Sequence, residues 1–430
     1  MKSNFSISPN ANNELEQTGQ TKFSESFLLH EAKALLDFAH GSFMDIGGFG
    51  YMDSRGRVDR SKSRESYIQS RMVQVFGLSH IIGIANFERL TEHGIKVLNS
   101  QFLDKANGGF FNSIDLLGNP VRQEKLAYDH MFVLLAATTA NVAGIPGAKD
   151  LVKKSESIIK RFFWDSDFEM MNDSWDLNFT ELDEYRGINS NMHAVEALTA
   201  AFDATGILLY RDWAYAICKR AIDSIARRNN WFLPEHFDSH WQEDKEFNLK
   251  SPADQFRPYG VTIGHLFEWA RLILQIRMTF REGDRETQWI LEAAKGLYQA
   301  AKKFGWAVDN SPGFIYTIDW NGNPVVRSRM QWVSAEAVMA AYVLWKATGD
   351  LVYLKDYNTW WSYIEDFVID REFGSWHHEL NSKQEVITDS WPGKPDIYHA
   401  FNACLLPLLP LEASFIGAAI KQRDRGRVNL

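Results

Sequence analysis

Cysteine is nearly missing. Cys218 and Cys404 are the only two in 430 residues, which excludes a disulfide framework and a cysteine zinc cluster. No apolar run approaches the ~18 residues of a membrane span; the stretch from Leu405 to Leu411 is broken by two prolines. No block of five or six basic residues exists and the formal net charge is −9, so neither nucleic acid nor an anionic membrane is an expected partner. The opening MKSNFSISPNANNELEQTG lacks the apolar core of a secretory leader, so a cytoplasmic location is expected. There is no H-E-x-x-H, no P-loop and no G-x-S-x-G, which removes the best-marked metalloprotease, nucleotide and serine-hydrolase readings.

What remains is ordinary in bulk, with 45% apolar and 23% charged residues, as in a soluble globular protein. The aromatic content stands out: 29 Phe, 15 Trp and 14 Tyr. Two readings account for it. One is a large core filled by large side chains. The other is a carbohydrate site, where aromatic faces stack on sugar C–H faces.

Short glycine-bearing aromatic segments recur along the chain. Four share a plan: GGFGYMDSRGRVD (47–59), GGFFNSIDLLGNPV (108–121), PGFIYTIDWNGNPVV (312–326) and FGSWHHELNSKQEV (373–386). Each has an aromatic arm, a turn such as DSRG, LGNP, NGNP or NSKQ, and a second arm, which is hairpin chemistry. Two degenerate copies, 168–176 and 235–247, complete a series of six. Between them the pattern is helical. Ile68, Met72, Val75, Phe76, Ser79 and Ile82 share one face at 3.6 spacing. Similar stretches at 24–43, 86–104, 123–141, 148–163, 192–208, 210–229, 262–281, 286–304, 333–348, 351–369 and 396–405 bring the count to twelve helices, two per unit.

A period of this length marks a repeat architecture. With no polar capping repeat at either end, the expectation is a closed ring, an all-α (α/α)6 barrel with short β-hairpins at one end. It would occupy residues 23–430 as a single domain, after a flexible tail at 1–22. The mouth would be lined by hairpin loops and helix starts.

Three histidines fall at helix starts on three different repeats: His193 after Asn189-Ser-Asn-Met, His265 after Gly264, and His399 after Asp396-Ile-Tyr. His193 with Glu196, and His265 with Glu268, have i, i+3 spacing and so share a face. In the first turn the helix dipole would favour neutral imidazole, fit for acid–base work near pH 7. A di-metal reading is opposed by the order, His-x-x-Glu rather than Glu-x-x-His. A glycosidase would need two flanking carboxylates; Asp183 or Glu184 with Asp238 or Asp254 are candidates, and nothing singles them out. Arg71, one turn from Tyr67 and Gln74, is either a snorkelling surface residue or a fork for oxygen atoms. Arg186 and Arg257 precede His193 and His265 in the approach loops.

Taken together, GGFGYMDSRGRV, the Arg71 helix, DEYRG leading to NMHAVEA (183–197), FRPYG to EW (256–269), YTIDWNGNPVVRSRMQW and DIYHAF resemble the N-acylglucosamine 2-epimerase superfamily over residues 25–412, and within it the aldose–ketose isomerase branch. The resemblance implies an (α/α)6 barrel that interconverts D-mannose and D-fructose, and by extension D-lyxose and D-xylulose, through a cis-enediol. It implies that His265 and His399 form the acid/base pair and that His193 assists ring opening. It further implies that Arg71, Tyr128, Asn189, Glu268, Trp332 and Glu336 bind the sugar or orient the histidines, and that neither metal nor organic cofactor is needed. Sulfosugar isomerases carry a basic residue where this chain has Gln255, which favours a neutral sugar. A 2-epimerase of a mannose- or glucose-type sugar, a sulfoquinovose isomerase and a glycoside hydrolase on the same barrel are the alternatives.

Overall fold

The structure, a computed structural model, describes residues 21–425. Thirteen α-helices and a set of strands of two or three residues are the main elements of this range. Six helices form the inner ring: α2 (Ser66–Ile82), α4 (Ala127–Val142), α6 (Ile188–Thr205), α8 (Ile263–Arg277), α10 (Gln331–Thr348) and α12 (Tyr398–Leu405). Each packs on the next, and α12 returns to α2, so the ring is closed. Six helices lie outside: α1 (Glu25–His40), α3 (Glu88–Val97), α5 (Ala148–Ile158), α7 (Leu208–Cys218), α9 (Gln288–Gly305) and α11 (Leu351–Tyr363). The pairing of α1 with α12 means that the two ends of the chain complete one repeat between them.

The inner helices are buried all round. In α2 every residue from Ser66 to Ser79 is buried. The outer helices are amphipathic, and α3 buries only Leu90, Thr91, Gly94, Ile95 and Val97. This is the pattern expected of a helix sandwiched between neighbours and of one with a solvent face. The six units read from the sequence are the six units of the fold, and both cysteines are buried. Of the residues expected to form a tail, 1–20 lie outside the described range; Thr21 and Lys22 hydrogen-bond Asn358 on α11.

One helix was not expected. α13 (Phe415–Asp424) follows the proline-broken stretch and packs against α2, α4 and α6. It is short, and Gly417 interrupts its pattern. That glycine is required, since a Cβ there would stand 2.2 Å from Asp203 Oδ2 on α6.

The hairpins staple the units at the mouth. The residues just before an inner helix pair with the hairpin of the next unit: Arg64 with Ile114, Lys125 with Trp175, Arg186 with Phe237, Val261 with Ile318, and Arg329 with Leu380. The sixth junction closes with Lys394 N donating to Met52 O. Each hairpin turns on one side chain. Asp53, Asp115, Asp176, Asp238, Asp319 and Asn381 each accept backbone N–H bonds from residues two to five further on, a self-capped Asx turn. At the staple positions Lys125 pairs with Asp104, Arg329 with Asp309 and Lys394 with Asp370, all buried. Arg64 and Arg186 donate to backbone carbonyls instead.

Candidate active site

The mouth narrows to a pocket of about 580 Å³, open to solvent and lined by Arg71, Tyr128, Asn189, His193, His265, Glu268, Trp332 and His399. Of the nine residues named from the sequence, only Glu336 is not on its wall. Seven of the nine occupy two equivalent positions of the repeat, counted from the staple residues Arg64, Lys125, Arg186, Val261 and Arg329. Three residues on stand Tyr128, Asn189 and Trp332; seven on stand Arg71, His193, Glu268 and Glu336. These positions are one helical turn apart and face the barrel axis.

Each histidine is held by a buried glutamate through Nδ1. The distances are 3.3 Å from His193 to Glu196 Oε2, 2.9 Å from His265 to Glu235 Oε1 and 2.9 Å from His399 to Glu336 Oε1. A carboxylate at Nδ1 fixes the proton there and leaves Nε2 as the acceptor. The three imidazoles therefore present the same tautomer. Burial pulls His193 down to about 4. Burial first, then the charge of Arg71, holds His399 well below its ordinary value. Both are neutral at pH 7 and available as bases. The Trp332 ring stands between His265 and His399, with centroids 5.2 and 5.8 Å away. It has room because α8 carries Gly264 beneath it, where a Cβ would meet the indole at 2.3 Å.

Two details differ from the expectation. His193 is the sixth residue of α6, beyond the first turn, so its shift comes from burial and not from the helix terminus. His265 is not partnered by Glu268; its partner is Glu235, from the hairpin of its own unit. Periodicity along the helix could not reveal Glu235. The signal that could have is the repeat itself. The residue three before each turn residue is Gly50, Asn112, Asp173, Glu235, Tyr316 and His378, and from Asn112 to His378 its carbonyl accepts the first N–H of an inner helix.

Arg71 is a buried fork. Nη1 lies 3.2 Å from Asp396 Oδ2, Nη2 donates to Tyr128 Oη at 2.9 Å, and Tyr67, Phe132 and Tyr398 surround the guanidinium. Burial opposes ionisation of Asp396, and Arg71 outweighs it and holds that carboxyl below its usual range. Below the histidines, Glu196, Glu268 and Glu336 gather around one cation, Arg271, whose Nε is 2.9 Å from Glu336 and whose Nη2 is 3.5 Å from Glu268. Three acids against one guanidinium leave a proton to be shared. Burial, with Glu336 and Glu196 close by, pushes Glu268 well above the carboxylate range. Both of its oxygens are buried without a hydrogen-bond partner among the described residues. Glu268 thus faces the pocket as a carboxyl whose protonated form burial favours.

Two donor sets have metal-like spacing, His193–Glu196–Glu268 and Glu268–Glu336–His399, with ligand atoms within 4.8 Å of one another. Arg271 already supplies a fixed positive charge between Glu268 and Glu336, and the Nδ1 atoms are engaged, so the chemistry of this set disfavours a divalent ion. The carboxylates weighed for hydrolysis are elsewhere. Asp238 caps its own turn, while Asp183, Glu184 and Asp254 line a wider outer groove that shares Tyr128, Asn189 and Phe256 with the pocket. Arg186 serves the backbone, and Arg257 pairs with Asp173 at 3.0 Å while stacked on Tyr185. Gln255, Phe256, Tyr316, Gln331, His378, Trp391 and Asp396 complete the pocket wall.

A closed ring of six helical pairs, with three glutamate-backed histidines at one mouth, describes a class of sugar-processing barrels, and residues 47–403 match the family model described as N-acylglucosamine 2-epimerase. The chain belongs to that family. It is 41% identical to a D-mannose isomerase from Thermobifida fusca over 90% of this chain and 95% of that one. Identity is also 41% to a D-mannose isomerase from Pseudomonas cannabina pv. alisalensis, over 91% and 94%. Among solved structures, a crystal structure of D-mannose isomerase superposes with a TM-score of 0.84 at 28% identity, covering 90% of this chain and 98% of that one. No helix among the described residues is long and apolar enough to cross a membrane.

Proposed function

We propose that this protein is an aldose–ketose isomerase that interconverts D-mannose and D-fructose without a metal. One observation carries the reading: three imidazoles of one tautomer, two of them flanking Trp332, around a pocket that also holds Arg71 and Glu268. The reaction opens the pyranose, removes the C2 proton and returns a proton to C1. His265 and His399 serve as the acid/base pair, each with an Nε2 lone pair. His193 moves the proton needed at the ring oxygen or O1. Arg71, with the Glu268 acid, supplies donors to the enediolate oxygens as charge develops. Asn189, whose Oδ1 is buried without a partner among the described residues, and Tyr128 read hydroxyls. Hydrolysis is less well supported. The acids on the pocket wall are Glu268 and Asp396, the latter bound to Arg71, so no free pair flanks a glycosidic bond.

The test is proton NMR of D-mannose with EDTA-treated protein in D2O. Fructose formed first, with deuterium at its C1, is the expected result. Glucose formed first would make the protein a 2-epimerase, and activity that returns only with a divalent ion would overturn the metal-free mechanism.

A further inference from the structure

We infer that the barrel contains a second proton route, running from His193 through the pocket floor to the closed end of the ring. The inference rests on the isomerase reading above and adds a path for its protons. Between the floor and α13 lies a small buried compartment whose polar walls are Gln74, Glu196, Thr199, Arg271, Gln275 and Ser414. The compartment has room for a single water molecule. Gln74 Oε1 and Thr199 Oγ1 are buried without a hydrogen-bond partner among the described residues, on side chains 1% and 3% exposed. A water in the compartment answers both.

The compartment has a polar group at each end. Above, Glu196 bonds His193 Nδ1 at 3.3 Å. Below, Ser414 Oγ donates to Asp203 Oδ2 at 2.6 Å, and Asp203 is half-buried at the base of the ring. Burial first, with Glu412 nearby, pushes Asp203 up to about 6, where a carboxyl both takes and releases protons near neutral pH. Glu412 itself is paired with Lys421, and Glu196 and Arg271 are the charged groups on the compartment's floor side.

The route balances as a proton transfer alone. His193 in its protonated form gives Nδ1–H to Glu196, a proton passes by way of the water and the Ser414 hydroxyl to Asp203, and Asp203 releases one to solvent; the reverse sequence reloads His193. His399 stands beside this array: Glu268, whose oxygens have no hydrogen-bond partner among the described residues, lies within 4.8 Å of the donor atoms of His193 and Glu196 on one side and of Glu336 and His399 on the other, so a small shift of its carboxyl bridges the two. His265, bound to Glu235, lies off it. With sugar filling the mouth, a proton held on His399 still exchanges with bulk water through the base.

The experiment uses D-mannose carrying deuterium at C2, converted in ordinary water by the full chain, by Thr199→Val and by Asp203→Asn. NMR of the fructose gives the label kept at C1 against the label lost. This ratio belongs to each turnover, so loss of folded or active enzyme does not move it. The wild-type protein is expected to lose part of the label, and both variants to lose less. Equal ratios, or complete retention by the wild type, would overturn the route. A high-resolution crystal structure of the full chain is the arm that needs no activity. A water bonded to Thr199 Oγ1 and Gln74 Oε1 supports the route, and a dry compartment overturns it. Failure of the wild type to convert mannose at all would instead sink the proposed function and leave the crystallographic arm to decide.

Discussion

Two places on each hairpin, three residues apart, have opposite histories in this chain. The turn residue is Asp in five units and Asn in the sixth, and always does the same work on its own backbone. The residue three earlier, at the inner end of the arm, is Gly50, Asn112, Asp173, Glu235, Tyr316 and His378, different in every unit. The turn faces solvent, and its side chain answers only to local geometry. The inner position faces the barrel axis, where one shared pocket needs one of each group. Repetition therefore marks the scaffold, and the loss of repetition marks the site. The inner helices repeat the lesson, since Arg71, His193, Glu268 and Glu336 stand at one equivalent position.

The sharpest way to break this comparison is to change the unrepeated residues. His265→Ala and His399→Ala are each expected to lower kcat by the ~10²–10⁴ that a placed acid or base supplies, while circular dichroism and the melting temperature stay close to wild type. Wild-type-like turnover in either variant would remove it from the acid/base pair. Glu235→Gln tests the same idea at one remove. The amide keeps the size but no longer fixes the His265 tautomer, so a part of that factor is lost, in kcat more than in KM. A pH profile of kcat unchanged in shape and height would show that Glu235 only fills space.

Much of this was legible in the sequence for a physical reason. Twelve helices, six hairpins and closure follow from periodicity, because each unit must bury its apolar face on a neighbour. Eight of the nine expected site residues line the pocket. The ninth, Glu336, stands behind His399, where a residue's type is visible and its depth is not. Glu235 was missed because it meets His265 across thirty residues and a strand pairing, which helical spacing does not encode. Asp396 next to Arg71 is the same case over a longer range. α13 was missed because ten residues with an internal glycine carry too little periodic signal.

The converse break is to change a repeated residue. Lys125 and Asp104 form one of the buried staples, 0% and 4% exposed at 2.8 Å, and neither lines the pocket. Lys125→Met leaves Asp104 buried with only backbone and Asn107 donors. Removing one partner of a buried pair costs about 3–5 kcal/mol. Denaturant unfolding should show that loss, with KM and the activity per folded molecule unchanged. A large change in KM at full stability would mean that the staples tune the pocket, and the division between scaffold and site would fail.

The smallest effect separates two kinds of histidine. His130 is buried like His193, but its work is structural. Nε2 accepts from Phe110 N at 3.1 Å, and Nδ1 donates to Leu126 O at 2.7 Å. One unit on, Asn191 does the same for Met171 N and Gly187 O, at 2.7 and 2.8 Å, so the repeat itself supplies the substitution His130→Asn. Burial first holds His130 down at about 3, whereas an unfolded histidine titrates near 6.5. Between those values the unfolded chain binds the extra proton. The wild type therefore loses stability as pH falls from about 6.5 toward 3, at up to about 1.4 kcal/mol per pH unit for this one group. Asn has no such titration. The difference in unfolding free energy, variant minus wild type, should rise as the pH is lowered from 7 to 5, and kcat at pH 7 should hardly move. A difference independent of pH would mean that His130 is already charged in the folded protein. Its bond from Phe110 N would then be lost, and the contrast between a histidine that holds the frame and those that face the sugar would have to be drawn elsewhere.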